Sequence, residues 1–185
     1  VEWRKVGDVA WNELVPLADI TGPAYGDLIV VDADRTGATS ASQAVQDAID
    51  QAAAMQATVV IPPGTYAVRN VQLYTGSRVM MHGATLRMTN ATDPAGYSPT
   101  DKLHNEQHGI FWAEGADGAL LEGIILEGGT LVGLRSGDVY DIGGEDLVQL
   151  VYCRGTRIRG VTFEDAGQDA FEGKWCYDTT IEGCT

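Results

Sequence analysis

Two carboxylates recur at a fixed interval late in the chain. Asp146 and Asp169 stand 23 residues apart, and Gln149 and Glu172 repeat that interval three residues further on. If the interval is one structural repeat, each pair sits on neighbouring strands, about 4.8 Å apart in a parallel sheet. Two carboxylates that close repel, and one of them is pushed to a higher pKa. A general acid beside a base or nucleophile is built this way. Asp146, Asp169 and Glu172 are therefore the candidate catalytic residues. Glu164 and Asp165 add charge nearby, and Lys174 offers a countercharge. His108-Gly109-Ile110 is expected to add a row, with Ile110 opposite Val148 and Phe171, giving a column His108, Asp146, Asp169. A plainer reading stands beside this one. Asp ahead of a strand is an ordinary turn residue that binds its own backbone, and a column of Asp, Gln and Glu is also an ordinary solvated face.

Aromatic residues lie in or beside the turns: Tyr97, Trp112, Tyr140, Trp175 and Tyr177. Rings in loops on a rigid scaffold are where binding is usually carried. Trp112, Trp175 and Tyr177 are the candidate substrate-binding residues, as platforms for sugar rings; packing between neighbouring repeats is the alternative. His104 and His108 have zinc-like spacing, but that spacing needs a helix to put both on one face, and the segment reads as a loop. Cys153, Cys176 and Cys184 read as small hydrophobes. No metal site is expected. There is no phosphate-binding glycine loop and no Gly-x-Ser-x-Gly nucleophile motif, so no cofactor is expected.

What must position these residues is a repeat. The stretch 145–162 aligns with 168–185 at offset 23, with Asp, Cys, Thr, Ile, Gly and Thr in register. Leu121-Glu122-Gly123-Ile124 aligns with Ile158-Arg159-Gly160-Val161 at offset 37. Met81-His82-Gly83-Ala84 aligns with Leu121-Glu122-Gly123-Ile124 at offset 40. The excess lengths fall around Asn90–Gln107 and Ser136–Gly144. Each unit would hold about three short strands with Gly at a corner. An all-strand unit of this length cannot bury a face alone and must stack on its neighbours. The expected fold is an all-β, right-handed parallel β-helix, a solenoid whose units start near Thr58. One helix, Ser40–Met55, carries an apolar stripe of Ala44, Val45, Ala48, Ile49, Ala52 and Ala53, with Ser40 or Ser42 as cap, and is expected to plug the first unit. Val79, Met81, Leu121, Ile158 and Ile181 are expected to form one inward column. Val1–Lys5 alternates like a half-buried strand. The division expected is 1–24 as an attachment and trimerisation segment with a short β piece, 25–57 as linker and capping helix, and 58–185 as β-helix units, with the last edge at Thr185 left open for more chain or a partner.

The chain has 185 residues, 12 Lys plus Arg against 26 Asp plus Glu, and a formal net charge of −14. That balance argues against nucleic acid as a partner and against an anionic membrane surface. No run approaches the roughly 18 apolar residues of a membrane span, and the first residues do not read as a signal peptide. Membrane insertion is not expected.

Two family resemblances extend this reading. The helix Gln43-Ala44-Val45-Gln46-Asp47-Ala48-Ile49-Asp50, then Thr58-Val59-Val60-Ile61-Pro62-Pro63-Gly64-Thr65-Tyr66, then Gly83-Ala84-Thr85-Leu86 resemble the opening of the pectate-lyase-like β-helix superfamily. That opening occurs in polygalacturonases, lyases, epimerases and viral tailspikes, so it implies a fold more than an activity. The paired Asp-Asp, Gly-His-Gly and Arg-Ile-Lys elements of polygalacturonases do not occur in the sequence. Separately, Trp3-Arg4-Lys5-Val6-Gly7, Trp11, Leu14, Leu17-Ala18-Asp19-Ile20 and Thr21-Gly22-Pro23 are similar to a segment of phage tail proteins. After Ala24 no Gly-X-Y run follows, so no collagen-like stalk is expected. Together the resemblances imply a phage tail fibre or tailspike in the virion, a homotrimer attached to other tail proteins, that binds host cell-surface polysaccharide with or without cleaving it. The alternative is a free carbohydrate-active enzyme, a polysaccharide lyase or glycoside hydrolase.

Overall fold

A computed structural model of the chain describes residues 27–88, 109–134 and 146–185. The expectations for Trp3, Trp11 and the rest of 1–24, and for Tyr97, His104, His108 and Tyr140, lie outside the described residues. The strands pair in parallel in four sheets. The first joins β1 (Leu28–Val30), β3 (Thr58–Val60), β6 (Arg78–Met80), β10 (Ile125–Glu127), β14 (Arg157–Arg159) and β17 (Thr180–Glu182). The second joins β2 (Thr36–Ser40), β4 (Gly64–Val68), β7 (Ala84–Met88), β11 (Thr130–Val132) and β15 (Thr162–Glu164). The third joins β5 (Val71–Gln72), β8 (Phe111–Glu114), β12 (Val148–Val151) and β16 (Phe171–Lys174). The fourth pairs β9 (Leu121–Glu122) with β13 (Cys153–Arg154).

This arrangement corrects the expected fold class. The repeat predicts a single all-β right-handed parallel β-helix of three-strand units. The described residues instead form four discrete, open-ended parallel sheets and one short helix, layered on one shared apolar core. The strands also begin before the helix: β1 and β2 pair with β3 and β4, so pairing starts at Leu28 rather than Thr58.

The helix α1 spans Ser42–Met55 and buries Val45, Ala48, Ile49 and Ala52 against β1, β3, β4 and β5. It starts later than expected because Ser40 belongs to β2. Ala41 occupies the N-cap and no side chain caps the helix. Ser42 Oγ is used otherwise: it accepts the Arg69 N–H at 2.9 Å. Gln46 Oε1 accepts the Gln72 N–H at 2.7 Å and so fixes the helix to β5.

In the first sheet Val59, Val79, Leu126, Ile158 and Ile181 are in register. The first four are fully buried, each contributing about 1.5–3 kcal/mol of apolar transfer. Ile181 is 46% exposed, because it lies on the last described strand with no further one to cover it. The expected column is thus corrected at two places. Leu121 pairs with Cys153 in the fourth sheet, and Met81, although buried, follows the end of β6. The partner of Ile158 is Leu126, an offset of 32 and not 37.

Candidate functional site

The third sheet places the carboxylates. Phe111, Val148 and Phe171 are in register, and so are Trp112, Gln149 and Glu172 one residue on. Side chains alternate along a strand, so the apolar trio turns to the core and the second trio to the opposite face. The expected register was one residue out: Phe111, not Ile110, lies opposite Val148, and Gly109 therefore falls beside Asp146. A Cβ at Gly109 would sit 1.5 Å from the Asp146 carbonyl oxygen. Glycine is required there by close backbone approach.

Asp146 is 5% exposed. Its Oδ1 accepts the Asp169 N–H at 3.0 Å. Its carboxyl also interacts with that of Glu172. Glu172 Oε2 accepts from Gln149 Nε2 at 2.7 Å, and Glu172 Oε1 lies 2.9 Å from Lys174 Nζ. These contacts split the two carboxyls. Burial pushes Asp146 up to about 7; the Asp169 N–H opposes this, and the neighbouring Glu172 charge adds to it. Burial also acts to raise Glu172, but the bonds from Lys174, Gln149 and Asp146 together outweigh it and hold Glu172 below its usual value. Below about pH 7 the pair holds one proton, on Asp146, an arrangement in which acid and base roles are separated.

The structure thus brings together Asp146, Glu172, Gln149 and Lys174. Asp169 joins them through its backbone, while its side chain lies exposed. Of the aromatic candidates, Trp112 lies on β8, and Trp175 and Tyr177 follow β16. Trp112 is half-buried beside Gln149, and its Nε1 donates to the Asn70 carbonyl at 3.3 Å. Trp175 directly follows β16 and is 55% exposed, stacked on Tyr152 with ring centroids 4.7 Å apart and planes at 14°. Both adopt a left-handed backbone at φ 52°. A bulky residue held there costs about 1–3 kcal/mol. Tyr177 lies two residues further, past the corner, with Arg154 5.9 Å from its ring centre. Tyr152 was not singled out from the sequence, although it stands 23 residues before Trp175. Arg154 carries no repeat signal, since Tyr177 occupies the matching position.

The thiols of Cys153, Cys176 and Cys184 are free. Burial, with Cys176 beside it, pushes the Cys153 thiol up to about 12, so it behaves as the small hydrophobe its sequence position implies.

No protein-family model matches the chain, and no curated protein matches it. Among solved structures, a crystal structure described as a "putative glycosyl hydrolase" from Parabacteroides merdae superposes with a TM-score of 0.64. The match covers 82% of this chain and 69% of that one at 18% identity, a likeness of fold.

Proposed function

We propose that the chain binds a polysaccharide along the outer face of the third sheet and the corner that follows it. One observation carries this: the Glu172 carboxylate, fixed by Lys174 and Gln149, stands three residues before the exposed ring of Trp175, itself backed by Tyr152. A rigid ring platform beside an ordered carboxylate suits a sugar, which offers an apolar ring face and hydroxyl donors. The fold shared with a protein described as a "putative glycosyl hydrolase" supports the carbohydrate class. The test is calorimetric titration with neutral hexasaccharides. Trp175→Asn keeps a residue tolerant of the left-handed backbone, and Glu172→Gln keeps the shape. Each should weaken binding about tenfold; unchanged affinity in both overturns the proposal.

Cleavage is a second reading, favoured by the proton that Asp146 keeps up to about pH 7. Asp146 and Glu172 interact directly, hence are too close to straddle a sugar as acid and base. The pair would act as one donor. The buried Asp146 would pass its proton through Glu172 to the leaving glycosidic oxygen while water adds to the anomeric carbon and gives its proton to the exposed Asp169. Glycoside hydrolysis in this form needs no other reactant. Asp169→Asn should then lower turnover by about two orders of magnitude. If binding stands and no cleavage occurs, recognition is the whole function.

The tailspike setting is carried by the Trp3–Pro23 motif alone. In it the glycan is a host surface polysaccharide and the assembly a virion-bound homotrimer. Sedimentation of the chain with and without Val1–Thr21 tests this: a monomer with the segment intact counts against it.

A further inference from the structure

A second group of polar side chains lies past the Tyr152–Trp175 corner. Asp117, Gly118, Leu120, Glu122, Arg154 and Tyr177 line a shallow cleft. Its rim is fixed by backbone. Ala116 and Ala119 exchange both N–H···O bonds, at 3.1 and 2.9 Å, around an Asp117-Gly118 turn with Gly118 at φ 80°. Its floor is fixed by pairing, with Arg154 in register with both Glu122 and Tyr177.

The guanidinium lies over one face of the Tyr177 ring, 5.9 Å from its centre, and leaves the other face for a ligand. Its contact with Glu122 is 3.9 Å, beyond hydrogen-bond length, and the side chain is half exposed. The Tyr177 ring is 52% exposed. The cleft therefore offers a ring face, a forked donor, and two carboxylate acceptors within one small hollow.

We propose that this cleft is a separate subsite for one uncharged sugar residue, with vicinal hydroxyls donating to Asp117 and Glu122 and accepting from Arg154 while the ring rests on Tyr177. The inference rests on the polysaccharide reading above and narrows its substrate class to neutral glycans. Two carboxylates and one guanidinium line the cleft, on a chain of net charge −14, so a uronate or sulfate would meet net repulsion. The subsite and the carboxyl pair belong to one track. Glu172 and Tyr177 are five residues apart, at most about 17 Å of chain, a span that one oligosaccharide can bridge.

The experiment titrates the full chain with neutral gluco-, manno-, galacto- and xylo-hexasaccharides and with hexagalacturonate. At least one neutral probe should bind, and hexagalacturonate should bind at least tenfold more weakly. Tyr177→Ala and Arg154→Ala should each weaken the neutral probe about tenfold. Arg154→Lys should not restore it, because an ammonium lacks the fork. Asp117→Asn with Glu122→Gln should narrow the gap between neutral and uronate probes. Loss of binding in Trp175→Asn with none in Tyr177→Ala or Arg154→Ala overturns the subsite and leaves the polysaccharide proposal standing. Hexagalacturonate binding as tightly as the neutral probes overturns the subsite's selectivity, and no binding by any probe overturns both proposals. Circular dichroism on each variant shows that the chain is folded.

Discussion

The Asp169 N–H donates to Asp146 Oδ1 at 3.0 Å, tying a buried carboxyl to the backbone one repeat further on. Burial pushes that carboxyl up to about 7, from a free value of 3.8. A group whose folded pKa is raised holds its proton better folded than unfolded. Its contribution to stability is fully present below about pH 4 and is lost as pH rises through about 7. Glu172, held low, works in the other direction and favours folding above its free value of 4.5. The urea midpoint should therefore decline between about pH 5 and pH 7. Asp146→Asn keeps an oxygen for the Asp169 N–H and should remove most of the decline; equal slopes in the two proteins would refute the assignment.

Glu172→Gln tests the coupling itself. The Glu172 charge is one cause of the raised Asp146 value, but burial is the larger. The Asp146 titration, followed by carboxyl carbon NMR, should move down without reaching 3.8. Lys174→Ala should shift Glu172 upward, since Lys174 donates to it at 2.9 Å. Its cost in stability should be small, about 0–1 kcal/mol, because the lysine is substantially exposed. An unmoved Asp146 titration in Glu172→Gln would separate the two carboxyls.

Much of the pairing was legible because the last two repeats have equal length. Asp146 over Asp169, Gln149 over Glu172 and Ile158 over Ile181 follow from one offset. Earlier registers were not legible, for a definite reason. Leu-Glu-Gly occurs twice within eight residues, at Leu121–Gly123 and Leu126–Gly128. Periodicity cannot choose between copies, and the chain uses the second in the first sheet and the first in the fourth. The number and layering of sheets was likewise hidden, since β9 and β13 are two residues each and carry almost no alternation. At the site, composition marked both carboxyls but not which would pair. The stacked Asp146 and Asp169 were the natural choice. The diagonal Asp146–Glu172 contact depends on side-chain direction, which spacing does not encode.

Gly109 should tolerate no side chain. Its Cβ would lie 1.5 Å from the Asp146 carbonyl oxygen and 2.6 Å from the carbonyl carbon, both backbone atoms. Relief requires β8 and β12 to separate. Gly109→Ala should cost about 3 kcal/mol or more, the upper range for overpacking. For a chain of this size that lowers Tm by roughly 6–12 °C. Gly118→Ala is the matched control: a Cβ there meets nothing within 4 Å, and the cost is limited to its φ of 80°. A Gly109→Ala protein as stable as Gly118→Ala would show that the close approach is wrong.

Ile158 and Ile181 are equivalent by repeat and unequal by position. Both point the same way from paired strands, 23 residues apart. Ile158 is fully buried between Leu126 and Ile181, whereas Ile181 is nearly half exposed on the last described strand. Truncating the first removes apolar area and leaves a cavity between two covered strands. Truncating the second removes contacts on one side and leaves a surface that water already reaches. Ile158→Ala should therefore cost about 2–5 kcal/mol, and Ile181→Ala under about 1 kcal/mol. Urea unfolding of the two variants at one pH separates these values easily. Equal, large losses at both positions would mean that Ile181 is covered in solution by a contact these strands do not supply.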